Sequence, residues 1–424
     1  MKKLFAFLTA LTLVWLSVLS CGCFLSCNRA PEVPDPEAGL PAFPKPAEQI
    51  SSVPLTRTEA AFVQAGNEFA WRLTRKVWEG DTEQKSLILS PLSVQYALGM
   101  LGNGADAEVS AKLAAVLGYE GTDAINAFCA KLISDLPKVD TTVTLALANG
   151  VLFDERYILM QPFKAAVTGS YDAMVESMPF SDAGAVLKRV NDWCSRHTYG
   201  RIKDVLKEVD PAAFMYLMNA IYFNARWQDP FGKGDTKDAD FTQLSGKRTR
   251  VGMMHRTLDH TYFYAESETV QQLCLPYGNG RYQMVLCLPK QPSDLAACIG
   301  NPGTLKGELA NVILSLPRFH SAYNTDLKAL LAGMGLPLYP YDRLVENPRG
   351  IPEISKIIHQ ADITVDESGS EAAAVTIVEM RDGMAAGPAP QPRTVYFTAD
   401  HPFIYTIRET STGVILFTGI YNGD

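Results

Sequence analysis

Residues 365–403, VDESGSEAAAVTIVEMRDGMAAGPAPQPRTVYFTADHPF, form the stretch that decides the fold. Just before it, residues 363–365 are all β-branched and predict the end of one strand, and residues 394–397 predict another. The connection between these strands is more than two dozen residues long, which exceeds an ordinary loop and indicates a functional or unstructured segment. Its second half, residues 383–392, is dominated by Gly, Ala and Pro, as is typical of an exposed spacer.

The first half of this connection alternates in a way that suits a strand. One set of side chains is small to medium and uncharged: Ser370, Ala372, Ala374, Thr376, Val378 and Met380. The other set has a carboxylate at each end: Glu371, Ala373, Val375, Ile377 and Glu379. Because successive side chains in a strand point to opposite faces, this segment could lie in a sheet with the uncharged set inward. Glu and Ala also favour helix, so composition alone leaves an alanine-rich loop or a short helix open.

The residues around this segment resemble the reactive-centre hinge of the serpin family. The matching hinge residues are Glu367, Gly369, Ser370, Glu371, Ala372, Ala373, Ala374 and Thr376. Downstream, residues 397–403 and 412–419 are similar to the C-terminal strands of that family. Further motifs follow in the family's order: the helix start at Ser90-Pro91, and residues 190–193, 219–227 and 316–319.

The resemblance covers residues 56–424 and implies one α+β domain with the serpin fold. That fold has a large, mostly antiparallel central sheet, further sheets, about eight or nine helices and an exposed reactive-centre loop. The chain departs from the family pattern at Ser86, where an asparagine is usual, and most strongly at residues 338–350.

The resemblance also implies a function, which is suicide inhibition of serine proteases. A protease would attack the loop and form an acyl-enzyme, and the freed hinge would then enter the central sheet as a new strand. The small uncharged hinge side chains favour this inhibitor over the alternative, a non-inhibitory binding protein on the same scaffold. Family spacing from Gly369 puts the scissile bond at Gly383-Met384, with cleavage after Met384 second and after Arg381 third.

Several polar residues acquire expected roles from the same resemblance. Ser90, Asn219 and His359 match the region where the central sheet opens, with Asn219 and His359 as a polar pair. Arg318 and Glu367 match a pair at the point where insertion begins, with Trp227 beside them. Without the resemblance, His359 would be interpreted as a core histidine whose hydrogen bonds are satisfied. Arg318 and Glu367 would be interpreted as a surface ion pair of little energetic value.

No sequence pattern indicates an enzyme or a cofactor. The sequence contains no HExxH, no metal-spaced Cys/His cluster, no GxSxG elbow and no phosphate-binding loop. A net charge of −8 argues against a nucleic-acid surface, and residues 124–136 show no basic stripe for a glycosaminoglycan. The resemblance implies that the partner is a target serine protease, or a cysteine protease, bound by a monomer.

The N-terminus predicts export and a lipid anchor. Lys2-Lys3 precedes an apolar run at residues 4–19, as in a bacterial secretory signal. Cys27, or alternatively Cys21, follows small residues as in a lipoprotein cleavage box, so residues 1–27 are the predicted signal. Residues 28–55 are the predicted Pro-rich tether to a serpin domain at 56–424, which would sit on the cell envelope or be secreted. An uncleaved transmembrane anchor is the alternative.

Five cysteines remain in the domain. They are Cys129, Cys194, Cys274, Cys287 and Cys298. Because the number is odd, at least one is unpaired within the chain, and the apolar strand patterns predict buried free thiols at Cys274 and Cys287.

Overall fold

Two β-sheets and eight α-helices make up the part of the chain that the structure describes. The structure is a computed structural model, and it describes residues 49–424 except 211, 258–259, 300–305, 349, 351, 355 and 371–391. The described residues belong to one compact unit.

The helices are concentrated in the first half of the chain. They are α1 (Arg57–Gly80), α2 (Pro91–Gly102), α3 (Ala107–Leu117), α4 (Thr122–Asp135), α5 (Gln161–Tyr171), α6 (Ala183–His197), α7 (Leu295–Cys298) and α8 (Lys328–Gly333).

The strands occupy most of the second half. They are β1 (Leu87–Leu89), β2 (Thr144–Asp154), β3 (Met174–Met178), β4 (Met215–Arg226), β5 (Thr236–Thr242), β6 (Arg248–Arg256), β7 (Thr261–Glu266), β8 (Val270–Tyr277), β9 (Tyr282–Pro289), β10 (Glu308–Pro317), β11 (Phe319–Asp326), β12 (Ile358–Val365), β13 (Gly369–Ser370), β14 (Thr394–Thr398), β15 (Phe403–Glu409) and β16 (Ile415–Tyr421).

Both sheets are mostly antiparallel, as predicted. The six-stranded sheet has the order β11-β12-β13-β4-β2-β3, and its one parallel pair among the described strands is β2 with β3. The ten-stranded sheet runs β1-β16-β15-β9-β8-β7-β10-β6-β5, with β14 added in parallel beside β10. The serpin-like α+β fold class is therefore confirmed, and the six-stranded sheet is the one that contains the start of the hinge.

Local sequence chemistry explains where the first helices begin. The Thr56 hydroxyl accepts from the backbone N–H of Glu59, and the Glu59 carboxylate accepts from the backbone N–H of Thr56, which is a capping box. At α2, the Ser90 hydroxyl accepts from the Ser93 N–H while Pro91 occupies the first helical position. The predicted helix start at Ser90-Pro91 is confirmed.

The predicted tether ends earlier than residue 55. The Ile50 N–H donates to the Lys138 carbonyl at 3.0 Å, the Val53 N–H donates to the Ser411 hydroxyl at 3.0 Å, and Val53 is buried. Because Ile50, Val53 and Leu55 pack on the core, residues 50–55 belong to the folded domain. The earlier part of the predicted tether and signal lies outside the described residues.

The strand before the loop, β12, begins at Ile358, and residues 316–319 span the end of β10 and the first residue of β11. No continuous apolar pattern marks β3, β5 and β7 in the sequence, because their residues are half-buried or exposed along much of their length.

All five domain cysteines are free and buried. Burial raises the pKa of Cys129, Cys194 and Cys287 to about 12. Because the thiolate is the reactive form of cysteine, these thiols are inert packing groups. The prediction of buried free thiols at Cys274 and Cys287 is confirmed. Within the described range, no helix is both long and apolar enough to cross a membrane.

Candidate functional site

The first two residues of the hinge lie inside the six-stranded sheet as strand β13. Gly369 is paired with Arg226 and Ser370 with Ala225 of β4, and on the other side Ser370 is paired with Val365 of β12. The strands β4 and β12 are described in full, and they do not pair directly with each other. Among the described residues, the hinge therefore starts in a slot between two strands that are not paired with each other.

Gly369 is the residue that fits at the entrance of this slot. A Cβ atom at this position would lie 2.1 Å from the Ala225 carbonyl oxygen and 2.7 Å from the Arg226 Cα. Backbone atoms cannot move away as a flexible side chain can, so any larger residue would push β13 out of register.

Ser370 points into the core of the protein. Its hydroxyl lies 2.5 Å from the Tyr277 hydroxyl, and both side chains are fully buried. The Tyr277 ring stacks on Trp227, with centroids 4.3 Å apart and planes at 11°. Burial raises the pKa of Tyr277 well above its usual value, so the phenol stays protonated and keeps this hydrogen bond at neutral pH.

A short turn before β13 is held by Trp227 and Asp366. The Asp366 carboxylate accepts from the backbone N–H groups of Ser368 at 2.7 Å and Gly369 at 3.2 Å. The Trp227 indole N–H donates to the Asp366 carbonyl, and the Trp227 backbone N–H donates to the Ser368 carbonyl, both at 2.9 Å. Trp227 thus fixes from two sides the turn that contains Glu367.

Glu367 is largely buried in the same turn. Its carboxylate accepts a 2.6 Å hydrogen bond from the Thr236 hydroxyl, while the Arg318 guanidinium is 3.8 Å away and mostly exposed. Burial acts to raise the pKa of Glu367, but the Thr236 hydrogen bond and the nearby Arg318 charge outweigh it and lower the pKa. The structure brings the predicted pair together, and Thr236 is a closer partner that sequence reasoning missed.

The predicted pair of Asn219 and His359 is not hydrogen-bonded in the structure. The Ser90 N–H donates to His359 Nε2 at 3.1 Å, and burial lowers the pKa of His359 to about 4. Asn219 instead accepts from the Ser93 hydroxyl and donates to Asn149 at 2.7 Å. The expected direct pair is absent because Asn219 lies on β4 and His359 on β12, and these strands flank the slot without pairing.

Ser93 is a second polar residue that sequence reasoning missed. It lies three positions after the Ser90 cap, so both residues belong to the start of α2. The Ser93 hydroxyl bonds to Asn219 on one side of the slot, and the Ser90 backbone N–H bonds to His359 on the other. The buried Asn149 also donates to the Tyr171 carbonyl at 2.8 Å, so its amide group is hydrogen-bonded.

A cavity of about 500 Å³ lies near the beginning of β4, at the opposite end of this strand from the hinge. It is bordered on one side by residues 215–219 and on the other by residues 354 and 356–358, with Leu98 and Leu101 of α2 among the lining residues. The two strands that flank the slot thus also flank this cavity.

Comparison with known proteins decides the family. A sequence model described as "Serpin (serine protease inhibitor)" matches residues 64–422. The chain belongs to the serpin family. Serpin-Z3 of Arabidopsis thaliana is 31% identical over 386 residues, covering 84% of this chain and 96% of that protein.

Solved serpin structures are similar over nearly the whole domain. The thermophilic serpin tengpin in its native state is 26% identical with a TM-score of 0.72, covering 89% of this chain and 97% of that one. Human thyroxine-binding globulin complexed with thyroxine is 25% identical with a TM-score of 0.74, covering 86% and 98%. The same serpin scaffold is thus found in a small-molecule carrier, so the fold alone does not decide between inhibition and binding.

Part of the predicted site lies outside the described residues. The residues concerned are Glu371, Ala372, Ala373, Ala374, Thr376, Arg381, Gly383 and Met384 of the loop, together with Cys21 and Cys27. The loop's downstream end is described, where the Pro392 and Arg393 carbonyls accept from Asn311 of β10 at 3.1 and 2.9 Å. This serpin therefore anchors the two ends of its loop in different sheets. In the described part of the chain, no three His, Cys, Asp or Glu side chains are grouped to hold a metal ion.

Proposed function

We propose that this serpin inhibits a serine-type endopeptidase as a suicide substrate. The observation that carries the proposal is the slot between β4 and β12, which the hinge has entered only as far as Ser370 in the described residues. Where two neighbouring strands do not pair with each other, a further strand that enters between them gains main-chain hydrogen bonds on both sides. After loop cleavage, that gain would drive the hinge into the slot.

The register of β13 supports the path of the inserted strand. Continuing the pairing of Gly369 and Ser370 along β4 would put Thr376 opposite Asn219, and continuing it along β12 would put Thr376 opposite His359. The inserted strand would therefore pass between these two polar residues. Ser90 and Ser93 already bond them separately, so the strand need not break a bond between Asn219 and His359.

The inward direction of Ser370 supports insertion of this particular sequence. With Ser370 facing the core, the alternation of a strand turns Ala372, Ala374 and Thr376 inward and Glu371 outward. Small uncharged side chains would then be buried while the carboxylate stays in water, which avoids the cost of burying a charge.

The chemical steps require a protease serine and no cofactor. The serine attacks the carbonyl carbon of the scissile residue, the peptide bond breaks, and an acyl-enzyme links protease and serpin. Insertion carries the acylated protease away before water completes hydrolysis. Gly383-Met384 is the first candidate bond, followed by cleavage after Met384 and after Arg381. We further propose that a lipid on Cys27, or on Cys21, anchors the inhibitor to the cell envelope.

Incubation with trypsin-, chymotrypsin-, elastase- and subtilisin-type proteases tests the proposal. A complex that survives denaturing electrophoresis is the expected result, and mass spectrometry of the released C-terminal peptide identifies the scissile bond by its first residue. The recombinant chain should start at or before Gln49, because residues 50–55 pack on the domain. Cleavage of the loop by every protease without any complex would contradict trapping and favour the non-inhibitory binding protein.

A further inference from the structure

The strands β7, β10 and β14 leave one face of their sheet open to solvent. Along β10, alternate residues on one side are fully buried, whereas residues on the other side are partly or largely exposed. The exposed side of the three strands carries four large apolar side chains, here called the open face: Phe263, Leu309, Ile313 and Tyr396. The exposed fraction is 44% for Phe263, 62% for Leu309 and 68% for Tyr396.

The strand register groups these side chains into two pairs. Leu309 lies directly opposite Phe263, and Ile313 lies directly opposite Tyr396. The Phe263 ring lies against Gly307, where an added Cβ would come within 2.5 Å of two ring atoms. Single exposed apolar residues are normal on a protein surface, whereas a group of large ones on one face of a sheet is typical of a contact surface.

Charged side chains near these strands lie on the other face of the sheet. Glu308 is opposite Tyr264, which is buried and alternates with Phe263 along β7. The Arg393 guanidinium lies over the Tyr264 ring and bonds to the carboxylates of Glu308 at 2.5 Å and Glu266 at 3.1 Å. The four side chains of the open face are uncharged, so a contact there would be mainly apolar.

The open face adjoins the downstream end of the reactive loop. Asn311 lies between Leu309 and Ile313 on the same face of β10 and binds the carbonyls of Pro392 and Arg393. Met384 precedes Pro392 by so few residues that the chain between them can span at most roughly 30 Å. A protease of about 240 residues has a radius of gyration of about 18 Å and is therefore roughly 45 Å wide. A protease seated on the loop comes within reach of this face.

We propose that the open face is a second contact surface for the protease that attacks the loop. The inference rests on the proposed function, because it takes the occupant to be that protease. Tyr and Phe are side chains that commonly carry binding energy at protein interfaces. Contact with them would hold the protease near the loop and increase the rate of attack, without affecting the later insertion of the hinge into the distant slot.

The test is the rate at which each protease of the panel consumes the intact chain. The test variant is Leu309→Thr combined with Tyr396→Thr, since threonine keeps a strong preference for strands. The control is Ile158→Thr, because Ile158 is also an exposed aliphatic residue, with the same exposed fraction of 62% as Leu309. We expect the second-order rate constant to fall about tenfold or more in the test variant for at least one protease, and to stay unchanged in the control.

The reaction rate tests this inference, whereas the ratio of trapped to cleaved chain in the same reactions tests the proposed function. A slower reaction with an unchanged ratio of trapped to cleaved chain supports a docking role. A slower reaction that yields only cleaved chain also supports the open face, while contradicting trapping. Equal rates in parent, test and control proteins for every protease would overturn the inference. If the double variant fails to fold, the same rate constants are measured for the single variant Tyr396→Thr, which lies on the edge strand β14.

Discussion

The hydroxyl groups of Ser370 and Tyr277 lie 2.5 Å apart inside the protein, and this contact fixes the orientation of the hinge. Tyr277 belongs to β8 of the ten-stranded sheet, whereas Ser370 belongs to the six-stranded sheet. The bond therefore joins the two sheets at the entrance of the slot. It also determines which residues of the alternating hinge would face the core if insertion continued.

Ala374→Arg should convert the inhibitor into a substrate. Ala374 follows Ser370 by an even number of residues, so both would lie on the same face of the inserted strand. Insertion would therefore force the arginine into the core, and burial of an unpaired charge costs several kcal/mol. The loop would still be cut, but insertion would stall and the acyl-enzyme would hydrolyse. The measurement is the ratio of protease-linked to cleaved chain on denaturing gels.

The neighbouring variant Ala373→Arg is the matched control for this experiment. Ala373 would lie on the opposite face of the inserted strand, so its arginine would stay in solvent. It should trap protease nearly as well as the parent. If Ala374→Arg traps as efficiently as the parent, the insertion argument is wrong.

Gly369→Ala should destabilise the folded protein. The added methyl would lie 2.1 Å from the Ala225 carbonyl oxygen, and overpacking of this kind costs about 1–3 kcal/mol. A lower midpoint of chemical unfolding checks the prediction. Gly169→Ala is the control, since nothing lies within 4 Å of its added Cβ in helix α5, and it should stabilise by about 0.5–1 kcal/mol. Equal midpoints for the two variants would show that the entrance of the slot tolerates a side chain.

Local chemistry made part of this fold predictable from sequence. The capping residues Thr56 and Ser90 mark their helices through bonds to residues three positions away. The buried strands β2 and β4 have long apolar patterns that identify them without any neighbour. The edge strand β5 could not be found in this way, because Phe241 is its one buried residue.

The contacts that build the site could not be predicted, because they join residues far apart in the chain. Ser370 and Tyr277 are separated by 93 positions, and Thr236 and Glu367 by 131. Family resemblance placed Ser90, Asn219 and His359 in one region, but it paired Asn219 with His359 and did not identify Ser93 and Asn149 as the partners of Asn219. Those partners depend on how far β4 and β12 are separated, which is a property of the whole sheet.

Thr236→Val should destabilise the protein more than Arg318→Gln does. Loss of the Thr236 hydroxyl leaves the largely buried Glu367 carboxylate without its 2.6 Å donor, at a cost of about 1–3 kcal/mol. Arg318 is 3.8 Å from Glu367, and its side chain is 59% exposed, so that ion pair contributes less than about 1 kcal/mol. Unfolding free energies of the two variants test the order, and the reverse order would make the ion pair the main support of Glu367.

His359 should make folding stability depend on pH between 6.5 and 4. Burial lowers its folded-state pKa to about 4 from an ordinary value of 6.5, so the unfolded chain takes up the proton first as the pH falls. The stability is fully present above about pH 6.5 and is lost progressively toward pH 4. At about 1.4 kcal/mol for each unit of pKa shift, the loss from this one group reaches about 3 kcal/mol.

The measurement for His359 is the urea midpoint of parent and His359→Gln proteins at pH 6.5, 5.5 and 4.5. Glutamine does not titrate, and its side-chain oxygen can still accept from the Ser90 N–H, so the variant should lose less stability than the parent over this range. A smaller decrease of the urea midpoint in the variant identifies His359 as the source of the pH-dependent loss of stability, because every other titrating group is common to both proteins. An equal drop in both proteins would mean that protonation of His359 does not oppose folding.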